Sequence, residues 1–509
     1  MKRLRIDKDI LLCALSGVML AMAFPRPDLA SLAWIGLVPL FLVSSRRPFR
    51  SGFVAGAVFF ALVLYWLNIV MTTFGRLHPV LSVTAYLLLV LYLALFFGVA
   101  TWAAARMQEK VGLSPIITLP VLWVGLEFIR SFLLSGFPWA SLGYSQQSHP
   151  LLYQSADLFG IYGIGFLIVL SNAVLAGVVG YLRNRSFWSL PWRGITVFAL
   201  LFLLNIAYGT WRLDGDIDQR DDMIQTTLVQ GNIDQSIKWS PAHKETTVDI
   251  YRRLSLDASG DETDLIIWPE SATPFYFQDD GELGRKVSAL PRETDSYLLF
   301  GSPAYERVDD RYKFLNSAYL LDSDGSVLGR SDKVHLVPFG EYVPLGRLLP
   351  FIDKLVVGIG DFSPGAVSPL SMNGTEVGVL VCYEAIFPEL ARQWVRQGSD
   401  LLVNITNDAW FGRSSAPSQH LAMTRFRAVE NRIWIARAAN TGISAFIAPS
   451  GKIVAQTQVF QEETLRESIG TGSRATLYTR FGDVGPVLCI LLGLYWLVRT
   501  RRGGPPSSS

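Results

Sequence analysis

Apolar positions follow two regimes along the chain. Apolar runs long enough to cross a bilayer occur near 8–24, 28–44, 52–73, 79–105, 114–134, 157–182 and 192–210, and one more occupies 484–498. A helix needs roughly 20 such residues to cross the hydrocarbon core of a bilayer, so the pattern predicts seven spans followed, after a long interval, by an eighth. Between 214 and 480 the pattern changes to short, β-branched runs bounded by turn residues: Thr226–Gln230, Asp264–Trp268, Tyr297–Gly301, Ala318–Leu321, Val377–Val381, Asp400–Asn404 and Ile443–Ala448. Helical periodicity returns at 241–257, 387–398 and 418–436. Strands and helices mixed over such a length predict one α/β domain with layered sheets. The chain is therefore read as a transmembrane bundle (1–213), a water-facing domain (214–480), and a last transmembrane helix with a basic tail (481–509).

Basic residues orient this plan. Lys2, Arg3, Arg5 and Lys8 precede the first span; Arg46, Arg47 and Arg50, then Arg106 and Lys110, then Arg183, Arg185 and Arg193, and finally Arg499, Arg501 and Arg502 occupy alternate connections. The intervening connections hold little beyond Arg26, Arg76 and Arg130. Positively charged short loops stay in the cytoplasm, so the 214–480 domain is expected on the outer, periplasmic face of a bacterial-type inner membrane. A cleaved leader ending at Ala21-Met22-Ala23 is a competing reading of the first span; it leaves the later topology unchanged.

Composition agrees with a membrane protein. Half of the 509 residues are apolar and 17% are charged, and the net charge of +2 gives no footing for nucleic acid. Cys13 and Cys489 lie inside apolar runs, and Cys382 stands alone in the polar region, so no disulfide framework is expected. His78, His149, His243, His335 and His420 show no ligand spacing, and no metal or cofactor is assigned.

Three segments of the polar region share one form, an apolar strand that delivers a reactive side chain where it ends. Asp264-Leu-Ile-Ile-Trp-Pro-Glu270 presents a carboxylate, Gly329-Arg-Ser-Asp-Lys333 an ammonium with Glu341 following, and Val377-Gly-Val-Leu-Val-Cys382-Tyr383-Glu384 a thiol. A thiol attacks carbonyl carbon only as thiolate and needs a base or a nearby cation. A lysine beside the attacked carbonyl can hold the charge that develops on its oxygen. No histidine adjoins Cys382 in sequence, although a spatial partner is left open.

These residues resemble the Glu-Lys-Cys triad of the nitrilase, or carbon-nitrogen hydrolase, superfamily, whose fold is an αββα sandwich. Joined to the spans, the whole chain resembles the apolipoprotein N-acyltransferases. Gln230-Gly-Asn-Ile233 through Lys238-Trp239, His335-Leu-Val-Pro-Phe-Gly-Glu-Tyr-Val-Pro344, Asn407-Asp-Ala-Trp-Phe-Gly412 and Gly136-Phe-Pro-Trp139 carry the rest of the likeness. The resemblance implies transfer of an acyl chain from a membrane phospholipid, through a thioester on Cys382, to the α-amino group of a diacylglyceryl-cysteine at the N-terminus of an apolipoprotein. In it Glu270 is the general base, Lys333 holds the oxyanion, Glu341 supports the triad, and Tyr383 and Glu384 shape the mouth. Trp239, Asn316 and Trp410 match pocket positions. Residues 342–364, apolar but rich in breakers, read as a flap that touches lipid.

Plainer readings stand beside these. Cys382 alone would be a small buried hydrophobe, Glu270 and Lys333 an ordinary ion pair, and the 342–364 segment domain core. Glu127 and Arg130, one turn apart in the fifth run, are expected to pair inside the bundle. Rival functions are a membrane-tethered amidase for a small soluble substrate, and a transporter or scaffold whose outer domain only binds.

Overall fold

The computed structural model describes residues 7–184, 190–215, 217–220, 222–258, 263–279, 281–342 and 362–502. Two compact units divide them, one formed by Met1–Asn68, Pro79–Gly215 and Phe481–Ser509, the other by Ile69–His78 and Asp216–Arg480.

The first unit is helical. Among the described residues four helices are long and apolar enough to cross a membrane: Pro79–Val111, Ala156–Arg183, Trp192–Asp214 and Val484–Arg501. Pro48–Val63 with Leu67–Phe74 makes a fifth if the pair, bent by 56°, is one span. The other expected spans are shorter as helices. Lys8–Met22 has 15 residues and Pro115–Arg130 has 16. The 28–44 run is broken into Ala30–Trp34 and Val38–Val43, with Gly36 between them and Pro39 at the start of the second piece. Apolarity reports what lipid tolerates; it does not report where Gly and Pro let the backbone turn.

Small residues bring these helices together. A Cβ on Gly17 would lie 2.5 Å from the Ala55 carbonyl oxygen, and one on Gly52 would lie 2.3 Å from that of Phe97. Pro48–Val63 is thus pressed between Lys8–Met22 and Pro79–Val111, as expected where close backbone approach replaces hydrophobic driving force. Large side chains such as Leu88, Leu91, Leu203, Leu204, Leu491 and Leu492 remain exposed, the pattern of lipid-facing surface. Glu127 and Arg130 are buried but do not form an ion pair with each other. Glu127 Oε1 accepts from the Leu142 N–H (3.0 Å) and from Trp123 Nε1 (3.2 Å). Arg130 donates to the Trp139 carbonyl (2.8 Å) and to Ser141 Oγ (3.0 Å). Both side chains hold the turn at 139–141 and the start of the short 3₁₀ helix Leu142–Gln146, where backbone groups would otherwise lack partners.

Among its described residues the second unit contains two six-stranded sheets. The first runs in the order β12 (Glu463–Gly470), β1 (Met223–Gln230), β2 (Leu265–Ile267), β3 (Tyr297–Val308), β4 (Arg311–Leu321), β5 (Val327–Asp332). The second runs β11 (Ile453–Gln456), β10 (Ala445–Ile447), β9 (Ile435–Ala439), β8 (Leu401–Thr406), β7 (Thr375–Val381), β6 (Leu370–Met372). Strand alternation sorts the core into layers. Leu265 and Ile267 join Leu299, Val377, Val379, Val381, Val403 and Ile405 between the sheets. Ile266 and Trp268 point the other way, onto Val248, Tyr251 and Leu254 of helix Lys244–Ala258 and onto Val287 and Leu290 of helix Glu282–Thr294. Helices Pro388–Arg396 and Ala416–Asn431 belong to the second sheet. The result is the expected αββα sandwich.

Two details differ from expectation. The helix expected over 418–436 stops at Asn431, where Arg432 takes a left-handed φ of +50°, and Ile435 onward is β9. β9 reads Ile-Ala-Arg-Ala-Ala and is buried throughout, so it lacks the polar alternation that marks a half-exposed strand. The charged 303–313 stretch is the extended end of the β3–β4 hairpin, paired as far as Val308 and Arg311. The flap expected over 342–364 lies almost wholly outside the described residues.

Candidate active site

Each triad candidate follows the last residue of a strand. Glu270 comes after β2 and the ladder-ending Pro269, Lys333 directly after β5, and Cys382 directly after β7. Strand ends in a layered fold are held by the ladder yet open onto a crevice, and here the ends of strands from both sheets converge.

Lys333, 1% exposed, places Nζ 2.9 Å from Glu341 Oε1 and 3.7 Å from Glu270 Oε1. Asn316, on β4, donates Nδ2 to both carboxylates, at 2.8 Å to Glu270 and 2.9 Å to Glu341. The second oxygen of Glu270 accepts from the Asn407 N–H at 3.0 Å, and that of Glu341 from the Val337 N–H at 2.8 Å. Glu270, Asn316, Lys333 and Glu341 are therefore one hydrogen-bonded cluster, more than the simple Glu270–Lys333 ion pair of the plainer reading.

Cys382 sits at a sharp strand-to-helix turn with a φ of +55°. A non-glycine residue there costs of order 1–3 kcal/mol and persists only where its surroundings impose it. Glu384 supplies part of that constraint. Fully buried, it accepts from Val381 N–H on one oxygen (2.6 Å) and from Val334 and His335 N–H on the other (2.6 and 2.8 Å), so it ties the end of β7 to the end of β5. The resemblance puts Glu384 at the mouth; burial instead makes it a clamp beneath the site. Tyr383 is half-buried, its ring 5.2 Å from that of Phe387. Trp410 is half-buried with its ring 5.7 Å from Phe74, and Trp239 is exposed; neither makes a polar contact with the triad.

Charge in the site is arranged by burial. Burial and the neighbouring Glu270 raise the Cys382 thiol well above its ordinary value, with Lys333 opposing. The resting thiol is consequently neutral and needs a base as it attacks. Burial alone would discharge Lys333, but Glu341 and Glu270 outweigh it and hold the ammonium above its usual range. Burial pushes Glu384 up to about 7 against the pull of Lys333 and its three amide donors.

Two further sets of buried groups escaped the sequence reading. Lys238, fully buried, donates Nζ to the Glu270 carbonyl at 3.1 Å; burial brings it down to about 8, with Glu270 and Cys382 pulling upward. His420 is the spatial neighbour left open by the sequence, and it meets the Cys382 carbonyl rather than the thiol, Nε2 to oxygen 3.1 Å. Lys238 stands within a quoted motif, but its burial against Glu270 is visible only in the fold; nothing local marks His420. Among the described residues no group of three or more His, Cys, Asp or Glu could hold a metal ion.

Residues 225–475 match the carbon-nitrogen hydrolase family model, and residues 16–174 match that of the apolipoprotein N-acyltransferase N-terminal domain. An apolipoprotein N-acyltransferase of Geobacter metallireducens is 49% identical over 489 residues, 95% of this chain and 93% of the relative. That of Pasteurella multocida is 33% identical over 509 residues, covering 96% of this chain and 95% of its own. Among solved structures, an amidase from Nesterenkonia sp. AN1 aligns with 52% of this chain and 99% of its own at a TM-score of 0.39 and 20% identity. With relatives matched end to end and both domains recognised in their order, the chain belongs to the apolipoprotein N-acyltransferase family.

Proposed function

We propose that this protein transfers a fatty acyl group from a membrane phospholipid to the α-amino group of the N-terminal diacylglyceryl-cysteine of apolipoproteins, with Cys382 as the acyl carrier. What supports this reading is that Lys333 lies between Glu270 and Glu341, with Cys382 near enough to Glu270 and Lys333 for both to act on its charge, in a chain matched throughout by enzymes of that name.

In the first half-reaction Glu270 takes the Sγ proton as sulfur bonds to the ester carbonyl carbon. The resulting oxyanion is held by Lys333 Nζ, whose charge Glu341 and Asn316 keep in place. The C–O bond then breaks, and Glu270 returns the proton to the departing glycerol oxygen. In the second, the acceptor amine attacks the thioester, Glu270 receives the proton lost by nitrogen, and the C–S bond breaks to give an amide and the reprotonated thiol. A buried site keeps water from competing as acceptor. No cofactor is required, since thioester to amide is downhill.

The same reading places eight spans in a bacterial inner membrane, with 214–480 on the periplasmic side against the outer leaflet, as the alternating Arg and Lys connections suggest. The greasy 342–364 segment would admit the acyl chains, and Tyr383, Trp239 and Trp410 would line their path. A reconstitution assay tests the proposal: label from the acyl chains of a phospholipid should pass to a diacylated lipopeptide with the wild type and not with Cys382→Ala. Release of free fatty acid with no acylated peptide would instead indicate a hydrolase.

A further inference from the structure

Against the Cys382 backbone lies a second charged cluster that is given no part in the proposed acyl transfer. His420 Nε2 is 3.1 Å from the Cys382 carbonyl oxygen. On the other edge of the ring, Nδ1 is 3.0 Å from Asp408 Oδ1 and 3.2 Å from an Arg437 nitrogen. Arg437 bonds Asp408 Oδ2 at 2.6 Å, and Thr406 donates to Asp408 Oδ1 at 2.9 Å. His420 and Arg437 are fully buried and Asp408 is 1% exposed. Burial of three ionisable groups is expensive unless each is paired, so the arrangement calls for an explanation beyond packing.

A carbonyl only accepts, so His420 Nε2 carries the proton and donates it. The group it grips belongs to the planar Cys382–Tyr383 peptide, whose N–H points opposite to its C=O. That N–H lies in the first turn of the Cys382–Ile386 helix and has no intrahelical acceptor. Holding and polarising one end of a peptide fixes and strengthens the donor at the other.

We propose that His420, set by Asp408 and Arg437, is a positioning residue that aims the Tyr383 N–H at the oxyanion formed when Cys382 is acylated. This rests on the reading that Cys382 takes the acyl group. The imidazole touches no substrate; it acts through the peptide bond, and it completes with Lys333 a two-donor site approached from opposite sheets. The lack of any local signature is explained, since helix 416–431 brings His420, β9 brings Arg437 and the turn after β8 brings Asp408.

Two reactions of one sulfur separate this role from a merely structural one. Acylation by phospholipid passes through an oxyanion; alkylation by iodoacetamide does not. In the full-length protein in detergent, His420→Leu should slow thioester formation by roughly 10- to 100-fold, with half-saturating phospholipid and the alkylation rate each within about threefold of wild type. His420→Gln, which keeps a donor near Nε2, should recover most of the loss. Should the leucine variant not insert, Asp408→Asn is read in the same way, with a smaller but still selective drop. Parallel loss of acylation and alkylation, no recovery by glutamine, or wild-type acylation in His420→Leu would overturn the inference. Absence of any acyl adduct in the wild type would instead remove the reading on which it rests.

Discussion

At Cys382 the surroundings supply what the free amino acid lacks. Burial and Glu270 raise the Cys382 thiol, so the proposed attack needs a base to take its proton. Lys238 is the second cation near that event, and its lowered pKa has a checkable consequence. Because the folded lysine loses its proton near 8 and the unfolded one near 10.5, the unfolded state binds more protons between those values, and the burial penalty fades as pH rises through that window. The melting temperature of wild type relative to Lys238→Met should therefore climb between about pH 8 and 10; a difference independent of pH would show that the lysine is not held as described. Glu384→Gln replaces an acceptor by an amide NH₂ facing backbone N–H donors, and denaturation should register a loss of about 1–3 kcal/mol. That Glu270, Lys333 and Cys382 stand at strand ends was legible in the sequence, because each is announced by its own strand. Lys238, His420 and Arg437 were not, because a lysine in a loop, a histidine on a helix and an arginine in a buried strand acquire meaning only where separate elements meet.

At the scale of elements, the site depends on how closely β2 and β3 approach. A Cβ on Gly301 of β3 would lie 2.5 Å from the Ser271 nitrogen and 2.6 Å from Glu270 Cα, both backbone atoms that cannot move aside cheaply. Gly301→Ala should displace Glu270 and reduce acyl transfer by at least about 10-fold, since misplacements near 1 Å carry such costs, while leaving detergent-extracted protein folded by circular dichroism. Unchanged transfer would mean that the Glu270 position is not set by this contact. Element reading from sequence succeeded where periodicity was clean, as in β1, β7 and the helix at 388–396. It failed at β9, whose small, wholly buried residues carry no period-two signal, and in the 28–44 run, where Gly36 and Pro39 break what hydropathy shows as continuous.

For the molecule as a whole, the proposed function binds chemistry to topology: if the donor is an ester that lives in a leaflet, the thiol must be held at that leaflet. Placement of basic residues sets the expected direction, and it is open to direct labelling in a Cys382→Ala background. A cysteine at exposed Asp324 in the sandwich should react with a membrane-impermeant maleimide in intact spheroplasts, whereas one at exposed Glu109, beside Lys110, should react only after permeabilisation. The opposite pattern would put the catalytic unit in the cytoplasm and remove the phospholipid reading of the outer leaflet. The most direct test of the central claim is intact-protein mass spectrometry after exposure of the purified enzyme to phospholipid of one defined acyl chain. The account predicts a single added acyl mass, mapped to Cys382, lost on neutral hydroxylamine and on addition of a diacylated lipopeptide; an unmodified Cys382 in protein that still acylates the peptide would contradict it.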